Sequence, residues 1–177
     1  MSSAGRVKRV RSPSSATRIA AQTHERLDHR LPAPAGHFAF DLGLITFQPL
    51  ALLDALQTEL RYDTDRLYVT GQSMGGFGTW AITARAPERF AAAIPICGGG
   101  EPAAAPRLTR LPVWALHGTA DQVVPVSYSR DMITALQRAG GKSIYWEYQD
   151  ATHAGTAERA YCEPDLMEWL FAQRRAP

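Results

Sequence analysis

Short β-prone segments alternate with helical patterns beyond residue 65, and this alternation constrains the fold more than any other feature of the chain. The strand-like segments are residues 66–70, 90–97, 112–116 and 143–148. The main helical patterns are residues 74–86, 126–139 and 165–174, after an earlier one that begins near residue 47. Apolar strands that alternate with helices predict an α/β fold, with a mainly parallel sheet and helices on both faces.

The beginning of the chain has a different composition. Residues 1–45 have no sustained periodicity and are dominated by Ser, Arg, Pro and Ala. Residues 1–30 hold seven Lys or Arg and two acids, although the whole chain of 177 residues has a net charge of only +2. We expect residues 1–45 to be a disordered basic segment, with a targeting peptide as the alternative for residues 1–30. The rest of the chain is slightly acidic, so we expect no nucleic-acid partner.

Several classes of protein are disfavoured by what the sequence lacks. The longest apolar run, residues 90–97, is far shorter than the ~20 residues of a membrane-spanning helix. No secretory signal is visible, and we expect a cytoplasmic protein without a membrane span. Two cysteines, Cys97 and Cys162, cannot form a disulfide framework. No metal-ligand spacing is present, so we expect no metal.

A serine stands between the first predicted strand and the helix that follows it. Residues 71–75 fit the pattern G-x-S-x-G, with Ser73 at its centre. On such a strand-to-helix turn the serine backbone is strained and its hydroxyl is exposed at the edge of the sheet. The pattern fixes only three residues. The assignment of Ser73 therefore depends on the predicted strand before the pattern and the predicted helix after it. We predict that Ser73 is a nucleophile; the alternative is a glycine-rich turn with an incidental serine.

An acid and a histidine follow in the order that this serine motif requires. Asp121 follows the strand 112–116, and His153 follows the strand 143–148. Ligands of parallel sheets bind beyond the carboxyl ends of the strands, and all three side chains are predicted there. Asp150 is a rival acid, but it lies too near His153 in sequence to hold its ring, and we interpret it as a turn residue. We expect His117 to shape the loop of the acid.

From about residue 63 to residue 175 the chain resembles α/β-hydrolases of the dienelactone hydrolase and phospholipase/carboxylesterase group, which includes predicted peptidases. The resemblance rests on residues 65–80, 95–100, 117–121 and 124–125, and on His153. It implies a cofactor-free serine hydrolase that cleaves small carboxylic esters through an acyl-enzyme on Ser73. It also implies that residues 46–177 are the C-terminal portion of an α/β-hydrolase domain. The N–H of Met74 would supply one half of the oxyanion hole.

One feature of these hydrolases is missing from the sequence. Such hydrolases have several strands before the serine, and a His-Gly-rich loop that supplies the second oxyanion N–H. No such loop precedes Ser73, because Gly36 and His37 stand in the opposite order. We expect a sheet that lacks its first strands, through truncation or divergence. The strand before Ser73 would then be an edge that favours self-association, and esterase activity would be weak.

Two other functions remain open at this point. A catalytically weak or inactive homologue that acts as a binding partner is the main alternative, because of the missing oxyanion loop. A dinucleotide-binding oxidoreductase is the remote alternative, since residues 76–81 fit G-x-G-x-x-G/A and Glu101 lies a little over 20 residues further on. The first glycine of that fingerprint should directly follow a strand, whereas the predicted strand ends near Thr70.

Overall fold

The computed structural model describes residues 42–175 of the chain. The predicted disorder or targeting role of residues 1–45 lies outside these residues, except that positions 42–45 are helical. The first helix, α1, spans Leu42–Glu59, so it begins before the predicted start near residue 47 and has Pro49 in its interior. The domain boundary predicted at residue 45 stays a prediction.

Four parallel strands form the centre of the structure. The strands are β1 (Tyr68–Gln72), β2 (Ala92–Ile96), β3 (Val113–Gly118) and β4 (Ser143–Tyr148). They lie side by side in sequence order, and each pairs in parallel with the next. Every residue of β2 and β3 is buried, which explains why these two strands are almost wholly apolar.

Helices cover both faces of this sheet. The helices after α1 are α2 (Met74–Arg85), α3 (Ser127–Arg138), α4 (His153–Tyr161) and α5 (Pro164–Ala172). Because successive strand residues point to opposite faces, Val113 packs in one core with α1, α2 and α3. Its neighbour Trp114 packs in the other core with α4 and α5. The predicted α/β architecture, a parallel sheet with helices on both faces, is confirmed.

The strand order brings four loops to one edge of the sheet. In the register, Gln72 pairs with Ile96, and Gly118 pairs with Tyr148. All four strands therefore end on the same side, where Ser73, Cys97 and the later loops begin. Within the described residues β1 pairs with β2 alone, so it is an edge strand here. Self-association through that edge stays a prediction, which size-exclusion chromatography can test.

Some elements differ from their predicted bounds. Strand β1 begins and ends two residues later than predicted, because Gly71 and Gln72 continue the pairing with β2. Helix α4 was not predicted; its N-cap is Thr152, whose hydroxyl accepts a hydrogen bond from the N–H of Gly155 at 3.3 Å. Among the helices between residues 42 and 175, none is both long and apolar enough to cross a membrane.

Helix α2 approaches β2 so closely that one position between them requires glycine. A Cβ atom at Gly76 would lie 2.5 Å from the carbonyl oxygen of Ile96, and real Cβ atoms do not approach backbone to that distance. The preceding glycine, Gly75, has open space where its Cβ would stand. The two neighbouring glycines therefore form a matched pair for a stability test.

We predict that Gly76→Ala lowers the free energy of unfolding by about 1–3 kcal/mol, because the added methyl group pushes α2 away from β2. Gly75→Ala should change it by no more than about 1 kcal/mol, and in the stabilising direction, since alanine is the better helix former. Urea denaturation followed by circular dichroism measures both. Equal effects of the two substitutions would contradict this packing.

Candidate active site

Ser73 links β1 to α2 with a strained backbone. Its φ of 57° and ψ of −118° lie in a region that L-residues rarely adopt. Such a conformation costs on the order of 1–3 kcal/mol, so the surrounding structure must impose it. Two backbone hydrogen bonds do so: the Ser73 N–H donates to Ile96 O at 2.9 Å, and the Phe77 N–H donates to Ser73 O at 3.0 Å. The strain predicted from the G-x-S-x-G pattern is present at this residue.

The N–H of Met74 is available at the start of α2. Met74 is the first residue of that helix, and the first N–H groups of an α-helix have no acceptor within the helix. The same end of the helix carries the positive end of its dipole. An oxygen that gains negative charge beside Ser73 would therefore find a backbone donor and a favourable field at Met74.

Asp121 lies in the loop after β3, and its side chain has no exposed surface. One carboxylate oxygen accepts hydrogen bonds from the N–H groups of Val123 at 2.9 Å and Val124 at 2.8 Å. The other lies 2.6 Å from His153 Nδ1 and 3.3 Å from His117 Nε2. Burial raises the pKa of Asp121, but the hydrogen bonds from His153 and the two N–H groups outweigh it and lower that pKa below its ordinary value.

His153 begins α4 and is oriented from two sides. A carboxylate can only accept, so the 2.6 Å contact with Asp121 places a proton on Nδ1 of His153 and leaves Nε2 as the free acceptor of the neutral ring. The backbone carbonyl of His153 accepts a hydrogen bond from Gln72 Nε2 at 2.7 Å. Because Gln72 directly precedes Ser73, this bond holds the loop of the histidine beside the serine.

The structure thus brings Asp121 into contact with His153, and it anchors the main chain of His153 next to Ser73. Within the described residues it records no hydrogen bond between Ser73 Oγ and the imidazole. Such bonds are often long without substrate and tighten when it binds. Asp150 is in the turn before α4, as predicted, with a φ of 57°. Its N–H donates to Thr119 Oγ1 at 2.8 Å, and its carboxylate accepts from the side chain of Gln149.

His117 shapes the loop of the acid, in agreement with the sequence interpretation. Its ring is fully buried. Nε2 lies 3.0 Å from Val124 O, and Nδ1 lies 2.7 Å from the hydroxyl of Ser129. Burial lowers the pKa of His117 below that of an ordinary imidazole, which favours the neutral ring.

Cys97 is fully buried and lies within the site, a contact that the sequence did not indicate. It follows β2 with a positive φ of 46°, and its thiol faces the carbonyl of His153 at 3.9 Å. Cys97 Sγ, a nitrogen of His117 and a carboxylate oxygen of Asp121 all lie within 4.8 Å of one another. Burial raises the pKa of the thiol to about 12, so it stays protonated. The three side chains therefore form one polar cluster around the carboxylate of Asp121.

The dinucleotide fingerprint does not have the required structural setting. Residues 76–81 lie inside α2, which spans Met74–Arg85, and not in a turn between a strand and a helix. The N–H groups of a fingerprint must line the turn where the phosphates bind. The remote oxidoreductase alternative therefore has no structural support at these residues.

Sequence motifs did not reveal the cavity beside Ser73. It has a volume of about 110 Å³. Apart from Ser73, its walls are formed by Met74, Phe77, Val123, Val124, Pro125 and Tyr128. These residues come from α2, from the loop after Asp121 and from α3, so no single stretch of the sequence could have indicated them.

We predict that the protein loses stability on acidification below neutral pH. His117 has a lowered pKa when folded, so below about 6.5 the unfolded chain binds more protons than the folded one, and the free energy of unfolding falls with pH. His117→Gln keeps an N–H for Val124 O but does not titrate. Urea denaturation between pH 5 and 8 should therefore show a smaller pH dependence for this variant. The same dependence in both proteins would contradict the buried neutral ring.

Comparisons with known proteins agree on the type of domain. The sequence profile of the Dienelactone hydrolase family matches residues 19–165. XynS20E of Neocallimastix patriciarum, a bifunctional acetylxylan esterase/xylanase, is 32% identical over 73 residues, which are 41% of this chain and 11% of that protein.

Solved structures are also similar. A thermostable esterase has 39% sequence identity and a TM-score of 0.69, over 72% of this chain and 36% of that one. A puromycin-hydrolyzing peptidase of Mycobacterium tuberculosis has 23% identity and a TM-score of 0.62, over 72% of this chain and 25% of that one. The chain thus spans little more than a third of the esterase. These likenesses confirm the predicted α/β-hydrolase fold.

Proposed function

Because the chain belongs to the dienelactone hydrolase family, we propose that it is a serine hydrolase that cleaves carboxylic esters through an acyl-enzyme on Ser73. The observation that carries this proposal is the 2.6 Å contact between Asp121 and His153 at the edge of the sheet where Ser73 stands. The names of two similar proteins describe an esterase and an acetylxylan esterase, which supports an ester as the substrate.

In the first half of the reaction, Ser73 attacks the ester. Nε2 of His153 removes the hydroxyl proton while Ser73 Oγ forms a bond to the carbonyl carbon. Asp121 stabilises the imidazolium that results, and its buried carboxylate stays ionised because its pKa is lowered. The bond between carbon and the alcohol oxygen then breaks, and His153 gives its proton to the departing alcohol. The acyl group remains on Ser73.

In the second half, water releases the acyl group. His153 takes a proton from the water as its oxygen attacks the acyl carbon, and the proton then returns to Ser73 Oγ. A carboxylic acid leaves and the enzyme is restored. Both halves create a negative oxygen, to which the N–H of Met74 at the start of α2 would donate.

A catalytically weak or inactive homologue that binds a partner is the second candidate. It is motivated by the sequence pattern: residues 1–72 contain no His-Gly pair of the kind that supplies the second oxyanion donor in similar hydrolases. Loss of one such donor costs about 10²–10³ in rate. A weak enzyme should therefore hydrolyse esters slowly, whereas an inactive homologue should not hydrolyse them at all.

We predict that Asp121→Asn lowers kcat for p-nitrophenyl acetate by about 10⁴, because an amide there favours the wrong tautomer of His153. Asp150→Asn is the matched control, since Asp150 lies in the turn directly before His153 and its carboxylate bonds to the side chain of Gln149. It should change kcat by less than about twofold. The opposite ranking would show that Asp150 holds the histidine.

We also predict that Ser73→Ala abolishes hydrolysis above the rate of the uncatalysed reaction, because it removes the hydroxyl that carries the acyl intermediate. The fold should remain, and the melting temperature should stay close to the parent's, because alanine keeps the Cβ atom and the same backbone conformation. Initial rates with p-nitrophenyl acetate and a thermal melt check both statements. Undiminished hydrolysis by the folded variant would mean that the nucleophile is another residue.

A further inference from the structure

The cavity beside Ser73 is small and uncharged. None of its wall residues carries a charge, and the hydroxyls of Ser73 and Tyr128 are its only polar side-chain groups. Its volume of about 110 Å³ is well below the roughly 300–1,000 Å³ of sites that hold drug-sized ligands. A group that fills it must therefore be short and apolar.

The inner wall of the cavity cannot easily move outward. The rings of Phe77 and Tyr128 meet edge to face, with their centres 5.7 Å apart. Behind Tyr128 lies Gly99, where an added Cβ would stand only 2.7 Å from Tyr128 Cβ. Because the backbone at Gly99 already touches this residue, Tyr128 cannot retreat towards β2 to admit a longer group.

The position of His153 indicates which half of an ester this cavity takes. The departing alcohol must lie next to Nε2 of His153, which gives it a proton. His153 is not among the residues that line the cavity. The acyl half of an ester bound to Ser73 would therefore extend into the cavity, and the alcohol half would extend away from it.

On the basis of the proposed hydrolase function, we propose that this cavity is the acyl site and selects esters of short, unbranched aliphatic acids. The cavity has only about a third of the volume of the smallest sites that hold drug-sized ligands, so it suits short acyl chains. Tyr128 sets this length, and Val123, which is 61% exposed at the mouth, borders the entrance.

The test is the ratio of kcat/KM for p-nitrophenyl octanoate to kcat/KM for p-nitrophenyl butyrate. In the parent this ratio should be below about 0.1, since even one misfitting methylene costs tenfold or more. Tyr128→Ala should raise the ratio about tenfold, because it opens the inner wall. The control is Phe171→Ala, which removes a 43% exposed aromatic ring on α5 that does not line the cavity, and it should leave the ratio unchanged.

A second variant keeps the test valid if Tyr128→Ala does not fold. Val123→Ala removes an exposed side chain and should raise the ratio about two- to fivefold without loss of stability. A parent that prefers octanoate, or folded variants with the parent's ratio, would overturn the acyl-length assignment and leave the hydrolase function intact. A folded parent that hydrolyses none of the esters would overturn both proposals.

Discussion

The close approach of α2 to the ends of β1 and β2 is the constraint on which the rest of the site depends. A Cβ at Gly98 would lie 2.5 Å from the backbone of Gly76, so the two backbones are almost in contact. With the helix that close, the chain must turn from β1 into α2 at a single residue. That residue is Ser73, and the turn forces it into an unfavourable backbone conformation with a φ of 57°. The strained serine is thus a consequence of how tightly helix and strand pack.

The parallel sheet then determines what surrounds the serine. Because every strand ends at the same edge, the loops after β2, β3 and β4 supply Cys97, Asp121 and His153 to one place. Asp121 is the electrostatic centre of this group. Its buried charge is offset by two backbone N–H groups and by His153, which is why its pKa falls despite burial. The same contact fixes the tautomer of His153 and leaves Nε2 directed to receive a proton.

The sequence predicted best those features that depend on a local residue pattern or on the order of motifs along the chain. Strand β4 has the predicted bounds, Ser143–Tyr148, and the chain order of the serine, acid and histidine motif led to Asp121, which does contact His153.

Strand β1 was misplaced by two residues because Gly71 was treated as a strand end, although it fits the pairing with β2. Helix α4 has no apolar repeat and contains Gly155, so only its cap, Thr152, could have indicated it. The contacts of Cys97 and the cavity wall at Tyr128 join distant loops, which no local pattern can predict.

The most direct test of this site is to identify the residue that a fluorophosphonate labels. This reagent reacts with activated serines. Mass spectrometry of the folded protein should show one adduct per chain, and digestion should assign it to the peptide that contains Ser73. Heat-unfolded protein should remain unlabelled, because labelling requires the assembled Asp121 and His153. An adduct on another residue, or a folded protein that does not react, would contradict the assignment of Ser73 as the nucleophile.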